Sequence, residues 1–128
     1  MRRYSSDIFT ARHIAFEFHA PDAARDIELG ADVRRQVFLI FKESVNNIVR
    51  HSSCTSATVT FSASTEHISL RITDNGTGFD TARQGEGHGL SSMRKRTQEL
   101  GGTLQVVSKD AEGTIVTLQV AGSRRSVT

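Results

Sequence analysis

The chain has 128 residues, enough for one domain able to bury its own core without disulfide staples. Its single cysteine, Cys54, excludes an internal disulfide and any cysteine-based metal array, and reads best as a small buried hydrophobe. The net charge of +2 first suggests a nucleic-acid partner. Four of the positive charges, Arg2, Arg3, Arg124 and Arg125, fall in the expected tails, and removing them takes the body from +2 to −2. No basic stripe with interleaved aromatics remains, so no nucleic acid is expected as a partner. No apolar run is long enough to span a bilayer and no signal-like stretch opens the chain, so a cytoplasmic domain is expected, its parent being membrane-anchored or soluble.

Residues 1–12 show no clear period and read as a flexible lead-in. From His13 to Phe18 the pattern alternates, with Ile14, Phe16 and Phe18 on one face, which predicts a strand. Pro21 and Gly30 bracket a loop. Asp32 is suited to cap a helix running to Arg50 or His51, where Val37, Ile40 or Phe41, Ser44 or Val45 and Ile48 recur every three or four residues. Two short strands follow. Ala57, Val59 and Phe61 share a face of the first, and Ile68, Leu70 and Ile72 share a face of the second, with a turn at Ser64-Thr65-Glu66. After a glycine-rich stretch, a helix from Leu90 or Ser91 to Leu100 stops at Gly101-Gly102. Strands Thr103–Ser108 and Thr114–Val120 close the order. The expected fold class is α/β, a two-layer sandwich of a mixed, mostly antiparallel sheet packed against helices. The domain is expected to span residues 13–120, followed by a flexible basic tail at 121–128.

Three polar features carry chemistry. Glu43, Asn47, Arg50 and His51 share one side of the long helix, with Glu43 and Asn47 about 6 Å apart along the axis. A carboxylate, an amide oxygen and a guanidinium so grouped suit hydrated Mg²⁺ and a polyphosphate, although a solvated helix face explains the same pattern. Asp74 ends a strand and begins Asp74-Asn75-Gly76-Thr77-Gly78, where its carboxylate is placed to accept from an adenine amino group. The plainer reading is a tight turn with the Asp74 side chain bonding its own backbone. Gly85-Glu86-Gly87-His88-Gly89-Leu90 precedes a helix, where backbone amides and the helix N-terminus favour phosphate; a surface linker is the alternative. The oxygen spacing after Asp74 fails the calcium-loop pattern, and neither a P-loop nor a dinucleotide glycine fingerprint is present.

In this order the motifs resemble those of the catalytic ATP-binding domain of bacterial two-component sensor histidine kinases, within the ATPase superfamily shared with gyrase, heat-shock chaperone and mismatch-repair ATPases. Phe41–His51 looks like the asparagine box, Asp74–Gly78 like the first glycine box, and Gly87-His88-Gly89-Leu90 like the second. Met93–Arg96, Gly101–Leu104 and Gly113–Val116 continue the likeness. The short segment between glycine boxes and the Arg50-His51 ending look most like the nitrate-sensor and membrane-fluidity-sensor subfamily. The resemblance implies the histidine-kinase-type ATPase fold, with ATP and Mg²⁺ as cofactors. Asn47 would coordinate Mg²⁺, with Glu43 acting through water or orienting groups at the phosphate end. Arg50 and His51 would lie near phosphate, Arg50 where the family often has lysine. Asp74 would read adenine with help from Thr114; Gly76 and Gly78 would shape the base pocket, and Gly87, His88, Gly89 and Leu90 the phosphate lid. Lys95 departs from the acidic residue often found between the two arginines.

The implied partners are a dimeric phosphoacceptor helical region and a downstream response regulator, in a full kinase that is homodimeric while the isolated domain is monomeric. The sequence before His13 is too short for that helical region. An excised catalytic domain or separate subunit is therefore expected, and His13, His19, His51, His67 and His88 are poor phosphoacceptors. An anti-sigma-factor serine kinase and a non-catalytic nucleotide-binding or scaffold domain remain as alternatives.

Overall fold

A computed structural model of the chain describes residues 2–20, 30–52, 54–63, 67–76, 90–109 and 113–121. In chain order these form helix α1 (Arg2–Ala11), strand β1 (Ala15–His19), helix α2 (Ala31–Asn47) ending in a π-helical turn (Ile48–Ser52), strands β2 (Ser56–Ala63) and β3 (His67–Asp74), helix α3 (Leu90–Glu99), and strands β4 (Thr103–Lys109) and β5 (Gly113–Ala121). The strands make one sheet in the order β1-β2-β3-β5-β4. Among the described residues, β1 and β2 pair in parallel, with α2 between them in sequence, and the other neighbours are antiparallel. The mixed, mostly antiparallel sheet packed against helices is the architecture that the alternation predicts. Among the described residues, no helix is long and apolar enough to cross a membrane.

Register explains the core. Val59 faces Ile72, which faces Val116; Leu70 faces Leu118, and Ile68 faces Val120. All are buried, and with Val37, Ile40, Phe41 and Val45 of α2 and Met93 of α3 they form one apolar cluster. Burying each such side chain contributes about 1.5–3 kcal/mol. The pleat thus sends Ala57 and Val59 inward with Ile68, Leu70 and Ile72, as their period-two spacing predicts, while Phe61 is only partly buried. Cys54 is also only partly buried against the cluster.

The N-terminus departs from the sequence expectation. Residues 2–11 are helical, not a flexible lead-in, and Phe9 is fully buried against the ring of Phe16. A helix of ten residues is marginal alone; packing against β1 and α2 holds it. His13 does not open a strand. It takes the left-handed conformation (φ 59°) that ends α1, with His13 N–H donating to Thr10 O and Ile14 N–H to Phe9 O. Nor does Asp32 cap α2. The cap is Gly30, whose carbonyl accepts from Arg34 N–H, and Asp32 lies in the first turn, where its charge suits the helix dipole. At the end of α3 the expectation holds. Gly101 (φ 69°) and Gly102 donate back to Gln98 O and Thr97 O and turn the chain into β4. The Ser64-Thr65-Glu66 turn and the basic tail lie outside the described residues.

Candidate nucleotide site

At one end of the sheet the inward-facing row becomes polar. Beyond Val59–Ile72–Val116, the next paired positions are Ala57, Asp74 and Thr114, and Thr114 in turn faces Ser108 of β4. Asp74 is 9% exposed and Thr114 5%. The hydroxyls of Thr114 and Ser108 lie 2.8 Å apart. A carboxylate and a hydroxyl thus occupy positions that the sheet's own periodicity assigns to the core.

Across from them stands Asn47, 6% exposed, the last α-helical residue of α2. Asn47, Asp74 and Thr114 line one cleft with apolar walls from Ile48, Ile72, Leu90, Met93 and Val116, and with Ser44. Ser44 belongs to the helix wall, its hydroxyl donating to Ile40 O at 2.9 Å and lying 3.5 Å from Met93 Sδ. The free space at the centre is about 10 Å³, close to what one water molecule needs. Three polar groups converge in an apolar setting, the usual composition of a small-molecule site.

The turn after β3 is tightly held. Asp74 Oδ1 accepts from Gly76 N–H at 2.7 Å, so the plainer reading of a side chain bonding its own backbone is true of this oxygen. Asn75 clips the turn to the start of β2. Its Oδ1 accepts from the N–H groups of Thr55 and Ser56, and its Nδ2 donates to Thr55 Oγ1, all at 3.0 Å. Gly113 closes the other side: at φ 89°, a Cβ there would lie 2.1 Å from Asp74 O. Only glycine lets β5 pass so near the carboxylate-bearing residue.

Glu43 and Arg50 meet each other rather than that cleft. Arg50 Nη2 lies 3.7 Å from Glu43 Oε2, with the side chains 55% and 31% exposed, and neither is among the described cleft-lining residues. An ion pair so exposed contributes little to stability. Glu43 lines a second pocket of about 190 Å³ between α2 and α3, with Lys42, Asn46, Ser92 and Arg96 among its neighbours. Leu90, expected in the phosphate lid, begins α3 and is buried in the first cleft. His51 falls in the π-helical turn. Gly78, Gly87, His88 and Gly89 lie outside the described residues. The sequence did not point to Asn75, Ser108 or, apart from Leu90, the apolar walls as site residues. Asn75 was legible as the middle of an Asp-Asn-Gly turn, whereas Ser108 had no local signal.

Among known proteins, residues 32–123 match the family model described as histidine kinase-, DNA gyrase B-, and HSP90-like ATPase. Sensor histidine kinase LiaS of Bacillus subtilis is 31% identical over 97 residues, covering 75% of this chain and 27% of LiaS. Sensor protein VraS of Staphylococcus aureus (strain COL) is 35% identical over 91 residues, covering 70% of this chain and 26% of VraS. The chain therefore spans about a quarter of the length of these relatives. In fold it is similar to the histidine kinase domain of the Erythrobacter litoralis blue-light activated kinase, with a TM-score of 0.74 at 21% identity over 95% of this chain and 59% of that one. The catalytic domain of histidine kinase ThkA gives 0.72 at 17% identity, over 93% and 88% of the two chains. The family match covers most of the chain, including α2, the Asp74 turn and the Thr114 strand. The chain belongs to the histidine kinase-, gyrase- and HSP90-like ATPases, as an ATP-binding catalytic domain of the sensor histidine kinase kind.

Proposed function

We propose that this domain binds Mg-ATP in the Asn47–Asp74–Thr114 cleft and delivers the γ-phosphoryl group to a histidine on a separate dimeric helical region, for two-component signalling. The observation that carries the reading is the polar row at the sheet's end, buried and facing Asn47 across apolar walls. The Asp74 carboxylate is an acceptor for the adenine amino group, and the Thr114 hydroxyl a second polar contact, direct or through water. Ile48, Ile72, Leu90, Met93 and Val116 would cover the base and exclude solvent. Asn47 offers an amide oxygen for Mg²⁺. Mg²⁺ keeps several waters and needs few protein ligands, so one amide oxygen would be a sufficient protein contribution. When bound, Mg-ATP supplies an electrophilic phosphoryl group whose transfer depends on alignment and charge stabilisation.

In this reading Glu43 and Arg50 act at the phosphate end, Glu43 through water. Arg50 would exchange its exposed contact with Glu43 for phosphate oxygens. His51 would lie near phosphate, Gly76 and Gly78 would shape the base pocket, and Gly87, His88 and Gly89 would close over phosphate, while Leu90 stays with the base cleft. Partners in the full kinase are the dimeric phosphoacceptor region and a response regulator, in the cytoplasm. The Arg50-His51 ending and the short segment between glycine boxes support placing the domain in the nitrate-sensor and membrane-fluidity-sensor subfamily.

The direct test incubates the domain with γ-labelled ATP, Mg²⁺ and the parent protein's helical region, then identifies the labelled residue. Label on a histidine of that region is expected, with little on the domain alone. Label on serine or threonine of an added antagonist protein would instead support an anti-sigma-factor kinase. Nucleotide binding with no transfer to any acceptor would leave a binding module.

A further inference from the structure

Helix α1 lies outside the residues matched to the family, yet it grips the helix that carries Asn47. The Tyr4 hydroxyl donates to Asn46 Oδ1 at 3.1 Å. The Tyr4 ring meets Phe38 and Phe41 edge-on, with centroids 5.8 and 6.1 Å apart, and Lys42 Nζ lies 5.9 Å from its centroid. All four partners belong to α2. Asn46 sits one residue before Asn47, where α2 gives way to the π-helical turn at Ile48. Ile48 N–H is shared between Ser44 O, an α-type bond, and Val45 O, a 3₁₀-type bond, at the residue where the π-helical turn begins. Consecutive helical residues point about 100° apart. The Tyr4 bond thus acts on the residue next to the one that lines the cleft.

We infer that Tyr4 is a positioning residue of the nucleotide site, acting through Asn46 to hold the α-to-π junction of α2 in the rotation that presents Asn47. The inference rests on the proposed Mg-ATP reading for its functional consequence and on the Tyr4–Asn46 bond for its physical one. Helix α1 has a second anchor that does not touch this junction: Arg2 lies over the Phe18 ring at 4.7 Å and donates to Phe18 O on β1. The two anchors allow a loosened helix to be told apart from a misaimed Asn47.

The test compares Tyr4→Phe, Asn46→Ala, their double variant and Arg2→Ala in the intact 128-residue chain. Mg-ATP affinity would be measured by calorimetry across a Mg²⁺ titration, and amide exchange would be followed through residues 46–52. Tyr4→Phe keeps the ring contacts and should leave the fold intact. It should weaken Mg-ATP binding about threefold to tenfold by loss of one hydrogen bond, and speed exchange at 47–52. Asn46→Ala should do the same, and the double variant should add little to either. Arg2→Ala should lower the melting temperature without either change. Unaltered Mg-ATP affinity in Tyr4→Phe alongside a wild type that binds would overturn the proposal, as would an equal affinity loss in Arg2→Ala. If the wild type binds no Mg-ATP, the nucleotide reading fails instead, and amide exchange alone decides: accelerated exchange in Tyr4→Phe supports the clamp, and unchanged exchange rejects it.

Discussion

Asp74 and Asn47 face the same cleft but are held there by different kinds of bond. Asp74 ends a strand with partners on both sides, Ala57 on β2 and Thr114 on β5, and its turn is clipped by Asn75 and crowded by Gly113. Backbone ladders, one close approach and the Asn75 side chain together hold its position. Asn47 ends a helix at a change of hydrogen-bond register, and its neighbour Asn46 is held by a side chain from α1. The sheet wall rests on backbone pairing, while the helix wall rests on side-chain packing, with Val37, Ile40, Phe41 and Val45 of α2 buried in the core.

Gly113→Ala should give the largest effect, because its Cβ would meet Asp74 backbone at a φ that alanine avoids. A loss of several kcal/mol, lowering the melting temperature on the order of 10 °C, is expected together with loss of nucleotide binding. A stable variant with normal binding would break the picture of a rigid sheet wall. Asp74→Asn is smaller and cleaner, since an amide oxygen can still accept from Gly76 N–H. Calorimetry should show ATP affinity falling by about 10-fold to 100-fold, from loss of a charged hydrogen bond, with little change in melting. Equal affinity would remove its base-reading role. Asn47→Ala should cost about tenfold, and only in the Mg²⁺-dependent part of binding. An unchanged Mg²⁺ titration would reject coordination by Asn47 and leave the helix wall without a ligand.

Much of the fold was legible because most elements carry their own period. Val37, Ile40, Val45 and Ile48 mark α2, and the alternation of Ile68, Leu70 and Ile72 marks β3. Helix α1 was hidden because ten residues give Tyr4–Ile8 and Ser5–Phe9 spacings too few repeats to register. His13 was hidden because a non-glycine residue rarely ends a helix in the left-handed conformation. Among the residues singled out from the motifs, Asn47, Asp74, Leu90 and Thr114 line the first cleft, Leu90 there rather than in a separate lid. Glu43 and Arg50 share a helix side with Asn47 by spacing, yet they meet each other and Glu43 lines the pocket between α2 and α3. A few tens of degrees around a helix axis decide which cleft a side chain enters, and spacing does not resolve that difference.

The sequence by itself determined the strands and most helices, the glycine stop after α3, and the order of the polar motifs along the chain. These depend on contacts between residues close in sequence. Only the tertiary structure decided that Asp74, Thr114 and Ser108 continue the core rows of the sheet as a polar end, that Asn47 stands opposite, and that Tyr4 reaches Asn46. Those meetings follow from strand register and helix packing, in which residues far apart in the chain are brought together by burial of the apolar faces between them.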